Sequence, residues 1–158
     1  MADARIFEDL KADHDQHREM LERLADKDTE GREALFERLR VEITAHAAAE
    51  EESLYATMLA DPELRDEARH SVSEHKEIDD FFGELADLDF GSDEWEAKFG
   101  QMRHRYEHHI DEEEEEMFPA AAKELSEETE AKLAAIFEKR KPKELVRAEQ
   151  EDPGDDRD

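Results

Sequence analysis

Four successive stretches of the chain carry apolar residues at spacings of three and four, and in each the stripe is broken near its middle by histidine. The first runs Phe7, Leu10, His14, His17, Leu21, Leu24, and the second Leu39, Ile43, His46, Glu50, Leu54. The third runs Leu64, Ala68, Val72, His75, Ile78, Phe82, Leu85, and the fourth Trp95, Phe99, Met102, Tyr106, His109, Glu113, Met117. Such spacing puts each set on one face of an α-helix. A face that is apolar at both ends and imidazole in the middle packs best against others of the same design, with the histidines at one level.

Glycine and proline are scarce, five and four, and they cut the chain between these stretches. No segment alternates with the period of two that marks a strand, so the fold is read as all-α. Helices are predicted near 4–26, 29–60, 62–87 and 92–118, the last ended or kinked at Pro119. Asp61 with Pro62, and Ser92, supply the helix-start signals. Long helices with short loops predict an antiparallel up-and-down four-helix bundle over residues 1–122. A short extra helix is predicted over 123–141, opening at Ser126. Residues 142–158 have few apolar side chains and are read as an acidic, flexible tail.

The two halves of the bundle repeat one another. His14 corresponds to His75, 61 residues on, and His46 to His109, 63 residues on. His46-Ala-Ala-Ala-Glu50 matches His109-Ile-Asp-Glu-Glu113, and Leu54-Tyr55 matches Met117-Phe118 at the same distance from the histidine. Two helical hairpins of one design, packed together, gather His14, His46, His75, His109, Glu50 and Glu113.

Histidine and glutamate four residues apart share a helix face and can converge on one ion or on neighbouring ions. The chain has no cysteine, so a metal would be held by nitrogen and oxygen alone. Imidazole with carboxylate suits iron, zinc, manganese or copper better than calcium or magnesium. Two buried glutamates without a cation would cost several kcal/mol or be forced to protonate. The six residues are therefore read as ligands of a two-metal centre. His17, whose counterpart is Ile78, is an optional further nitrogen, and Asp79, one turn after His75, an optional outer or weak ligand.

In the acidic run from Asp111 to Glu116 only Glu113 falls on the stripe; the others, with Glu51 and Glu52, are read as a solvated face that draws cations. His70, His104 and His108 fall off the inward faces. Tyr55 lies about 180° from His46 at 100° per residue and is expected to pack toward the C-terminal helix; only a π-bulge would swing it inward. With 49 acidic against 22 basic residues the net charge is −27, which repels nucleic acid and anionic membranes and favours cations. The charged first residues and the lack of a long apolar run lead to an expected cytoplasmic setting.

These motifs, "LKADHDQHREML", "HAAAEEESLY", "EHKEIDDFF" and "HHIDEEEEEMFP", resemble those of the hemerythrin-like, or HHE cation-binding, domain family over about residues 4–122. The resemblance implies a bundle around two iron ions, an oxo- or hydroxo-bridged non-haem di-iron centre that meets dioxygen, peroxide or nitric oxide. It supports the same six ligands. Oxygen-carrying members have a second histidine where this chain has Asp79. The ferritin-like alternative needs Glu-x-x-His on two helices, and only Glu67-x-x-His70 occurs, facing outward. Hydrolytic zinc sites of the HExxH type have no counterpart. The expected function is a di-iron protein that binds or senses dioxygen, nitric oxide, peroxide or iron. The alternatives are a peroxide-decomposing or nitric-oxide-handling oxidoreductase and a non-redox cation buffer or acidic interaction protein.

Overall fold

The computed structural model describes residues 4–153. Its helices are α1 (Arg5–Ala25), α2 (Arg32–Glu50), α3 (Ala56–Ala60), α4 (Arg65–Ala86), α5 (Asp93–Glu112), α6 (Phe118–Glu124) and α7 (Glu127–Gln150), and no strand occurs among the described residues. Two π-helical turns, Glu51–Tyr55 and Glu113–Met117, carry α2 into α3 and α5 into α6 without a break. Each such run is one rod, so the four rods predicted from the periodicity are present and form the four-helix bundle.

The rods begin where local chemistry allows. Ser92 accepts a hydrogen bond from the Trp95 amide at 3.1 Å, and Ser126 does the same for Thr129 at 3.1 Å, each satisfying an orphan donor of a first turn. Gly31 precedes α2 at φ 66°, a left-handed conformation that a side chain resists. Pro119 does not end the helix. The π-turn before it makes Pro119 a first-turn residue of α6, where a missing N–H is tolerated.

The C-terminal helix departs most from the sequence reading. It does not fade at Lys141 but runs through Pro142 to Gln150, across most of the stretch read as a tail; residues 154–158 lie outside the described residues. A proline inside a helix costs about 3 kcal/mol, and docking against α1 and α2 offsets it. Leu133, Ala134 and Phe137 are buried there, Lys141 Nζ donates to Asp13 Oδ2 at 2.7 Å, and beyond the proline Arg40 Nη2 donates to the Ala148 carbonyl at 3.3 Å.

The core is in two parts. One contains Ile6, Phe7, Leu10, Leu54, Met58, Leu64, Phe118 and Phe137; the other contains Leu21, Leu24, Leu39, Ile78, Phe82, Trp95, Phe99 and Met102. On every rod the histidines fall between the two parts, so the break in each stripe becomes one polar layer across the bundle.

Candidate metal centre

The layer takes His14 and His17 from α1, His46 and Glu50 from α2, His75 from α4, His109 from α5, and Glu113 from the start of the second π-turn. All six residues read as ligands meet here. The side chains of His14, Glu50 and Glu113 are fully buried, and His75, the most open of the six, is 7% exposed.

Their mutual geometry follows the internal repeat. Glu50 Oε1 lies 3.6 Å from His46 Nε2 on its own helix and 3.3 Å from His75 Nε2 of the other hairpin. Glu113 Oε2 lies 3.6 Å from His109 Nε2 on its own rod, and its Oε1 lies 3.1 Å from His14 Nε2 of the other hairpin. Each glutamate thus stands between the two halves. His14, His46, Glu50 and Glu113 form one group whose ligand atoms all lie within 4.8 Å of one another, and His75, His109 and Glu113 form a second.

Each of these four histidines also has a carboxylate behind it. His46 Nδ1 meets Asp13 Oδ2 at 2.8 Å, and His109 Nδ1 meets Glu74 Oε1 at 2.9 Å, both within a hairpin. His14 Nδ1 meets Glu114 Oε2 at 2.7 Å, and His75 Nδ1 meets Glu51 Oε2 at 2.9 Å, both between hairpins. A carboxylate that accepts from Nδ1–H holds the proton on that nitrogen, so in the neutral ring the Nε2 lone pair faces inward, the tautomer a metal needs. Glu51 and Glu114 are therefore not part of a merely solvated face. The sequence reading missed all four carboxylates, although they obey the repeat: Asp13 and Glu74 precede His14 and His75, and Glu51 and Glu114 follow Glu50 and Glu113.

The fit to a cation can be judged from the inward atoms. Nε2 of His14, His17 and His46, both oxygens of Glu50, and Oε1 of Glu113 are buried without a hydrogen-bond partner. Each unsatisfied buried polar group costs about 1–3 kcal/mol. A cluster of such atoms converging from three of the four rods, with His75 of the fourth facing Glu50, fits one or two cations. Electrostatics agrees. Burial and the neighbouring Glu113 charge push the Glu50 carboxyl well above its ordinary range. Burial depresses His14 and His75, but Glu113 with Glu114, and Glu50 with Glu51, more than offset it and raise them to about 9 and about 10. His46 is lowered to about 4, first by burial and then by the His14 charge, which its bond to Asp13 only partly offsets.

Three further residues settle into different roles. Tyr55 is swung inward, contrary to the expectation that it faces the C-terminal helix. The π-turn Glu51–Tyr55 inserts an extra residue and rotates it toward the layer, where its hydroxyl donates to Glu113 Oε2 and its ring stacks on His75 at 5.3 Å. Phe118, its repeat counterpart, stacks on His14 at 6.1 Å and carries no hydroxyl. His17 lies edge-on to His46 with ring centroids 5.3 Å apart, and its Nδ1 meets the Tyr106 hydroxyl at 2.7 Å. Asp79 joins neither group. His70, His104 and His108 are exposed, as read from the helix faces.

The model of the hemerythrin HHE cation binding domain family matches residues 5–121. The chain belongs to that family. A solved hemerythrin HHE cation binding domain-containing protein from Mycobacterium kansasii shares the fold, with a TM-score of 0.71 at 24% identity over 94% of this chain and 99% of that one. That coverage takes the likeness of fold beyond residue 121 into α7. No curated protein matches the chain. The family name records cation binding, and the His/Glu layer holds two groups of side chains that could receive a cation. No helix among the described residues is long and apolar enough to cross a membrane. A cavity of about 370 Å³ between α2 and α4 reaches the layer from solvent, lined by Ile43, His46, His75, Ile78, Phe82 and Tyr106.

Proposed function

We propose that the protein is a non-haem di-iron protein whose buried centre binds or senses a small molecule, dioxygen, nitric oxide or peroxide, or iron itself. The carrying observation is the set of inward, fully buried nitrogen and oxygen atoms of His14, His46, Glu50 and Glu113 that have no hydrogen-bond partner in the protein. In this reading His14 and His46 would hold iron on one side of the layer and His75 and His109 on the other, with Glu50 and Glu113 available to either side, since each glutamate faces a histidine from either hairpin. His17, which like Asp79 joins neither ligand group, stands beside His46 with its Nε2 unpartnered and is an optional further nitrogen. Bound iron would supply the redox chemistry toward the small molecule; the chain supplies its setting.

That setting has three parts. Asp13, Glu51, Glu74 and Glu114 fix the four imidazoles and set their basicity. The apolar walls above and below the layer confine water to the side cavities and lower the local dielectric. Burial, with the Glu113 charge next, holds the Tyr55 phenol well above its ordinary pKa, so Tyr55 Oη keeps its proton as a donor inside the site.

The direct test is metal stoichiometry by mass spectrometry on tag-free protein reconstituted with ferrous iron, exposed to air and desalted. Two irons per chain are expected, and no retained iron would overturn the reading. A second reading, peroxide decomposition, is favoured by the buried Tyr55 hydroxyl, a hydrogen-bond donor already at Glu113 Oε2. Oxygen evolution from hydrogen peroxide that Tyr55→Phe diminishes would support it, whereas binding without turnover would leave a sensor or binder.

A further inference from the structure

A second constellation of ligand-type side chains lies on the outer face of α4 and α5, away from the layer. His70 Nε2 stands 3.4 Å from Glu74 Oε1 and 3.2 Å from Glu112 Oε1, and His108 Nε2 stands 3.2 Å from Glu112 Oε2. His70, Glu74 and Glu112 offer ligand atoms within 4.8 Å of one another. Two imidazoles and two carboxylates from two helices are a donor set for a first-row divalent cation rather than an acidic patch alone.

This constellation sits on a path to the layer. A cavity of about 240 Å³ is lined at the surface by His70 and Glu112 and at its inner end by His109 and Glu113. Glu113 is fully buried there, and its Oε1 has no hydrogen-bond partner. Glu74 belongs to both ends: Oε1 faces His70 outside and accepts from His109 Nδ1 inside. Glu67 and Glu116 on the same wall extend the negative lining, and the net charge of −27 concentrates cations at such a mouth.

We propose that His70, Glu112 and Glu74, with His108 beside them, form an outer divalent-cation site through which metal enters the buried centre. The inference rests on the buried-centre reading for what is delivered, not for the outer site itself. An exposed site exchanges its hydration shell easily and hands the ion inward past a carboxylate that both sites share. The Glu74 side chain is the hinge of that transfer.

The test uses the full chain with zinc(II) alone as the probe, following the histidine ring signals by NMR. Zinc is expected to move the His70 and His108 rings before those of His14, His46, His75 and His109. The double variant His70→Ala/His108→Ala is expected to bind one zinc fewer at saturation and to load ferrous iron several-fold more slowly to the same end point. These side chains are 54% and 59% exposed, so the variant keeps its core. Zinc reaching the buried rings while His70 and His108 stay unmoved overturns the outer site. An unchanged loading rate in the double variant overturns its role as the way in. Zinc that stops at His70 and His108, with buried rings that never respond, sinks the buried-centre reading and leaves the outer site standing.

Discussion

Tyr55 and Glu113 are 58 residues apart in sequence, yet the Tyr55 hydroxyl donates to Glu113 Oε2 inside the buried layer. The repeat makes this bond one-sided, because the equivalent of Tyr55 is Phe118. Tyr55 therefore distinguishes two otherwise matched halves. Tyr55→Phe keeps the ring on His75 and removes only the donor, so the fold is expected to be unchanged. Loss of an outer partner of a metal-binding group typically costs 10–100-fold in affinity. A competition titration against a chelator is expected to show iron affinity falling by about tenfold, and unchanged affinity would show that the hydroxyl does not position Glu113.

The carboxylates behind the imidazoles make a sharper contrast. Glu51 and Glu52 are neighbours in sequence, but only Glu51 meets a histidine of the layer, whereas Glu52 pairs with Arg140 at 3.6 Å. Glu51→Gln is expected to weaken metal retention by roughly 10–100-fold, and Glu52→Gln to leave it unchanged. Equal effects in the two variants would mean that the acidic run acts only through its summed charge.

What could be read in advance, and what could not, follows from period and repeat. The stripes repeat at 3.6 residues, so the rods and the inward histidines and glutamates are legible in the spacing. A π-turn changes that register by one residue without any signature in composition, which is why Tyr55, nine residues after His46, was placed on the wrong face. The far half of α7 was hidden for another reason. Pro142 and a polar sequence argue against a helix locally, and the docking that overrides them involves Arg40 and Asp13, remote in the chain. Asp13, Glu51, Glu74 and Glu114 were legible in principle, since they occupy equivalent places in the repeat.

The α7 contact is testable as stability. Phe137 is buried in the core on one side and lies edge-on to His46 on the other, with ring centroids 5.9 Å apart. Removing a buried phenylalanine to alanine costs about 3–5 kcal/mol. Phe137→Ala is expected to lose that amount in urea unfolding of the chelator-treated chain. A loss below 1 kcal/mol would show that α7 does not contribute to the core.

The two raised imidazoles predict a pH dependence for chain kept metal-free by chelator. His14 and His75 have folded pKa values of about 9 and about 10 against an ordinary value of 6.5. Between these limits the folded state holds more protons than the unfolded state, so stability falls as pH rises. Their contribution is complete below pH 6.5 and is lost as pH passes through about 9 to about 10. Melting temperatures in chelator are expected to fall across that window, and less in iron-loaded protein, where the cation takes the place of the protons. Parallel profiles with and without metal would separate these histidines from the metal.

Glu113 and Glu115 test the assignment of the layer most directly, because they lie in the same acidic run and the same π-turn. Glu113 is buried, belongs to both ligand groups and faces His14 and His109; Glu115 is exposed. Loss of the Glu113 carboxylate removes a ligand from both halves and leaves the facing His14 and His109 without their partner. Glu113→Ala is therefore expected to retain at most one of two irons after desalting, while Glu115→Ala retains both. The two substitutions change net charge equally, so a general field effect would affect them alike. Equal iron loss would show that the run binds cations by charge alone, and that the inward placement of Glu113 has no part in holding them.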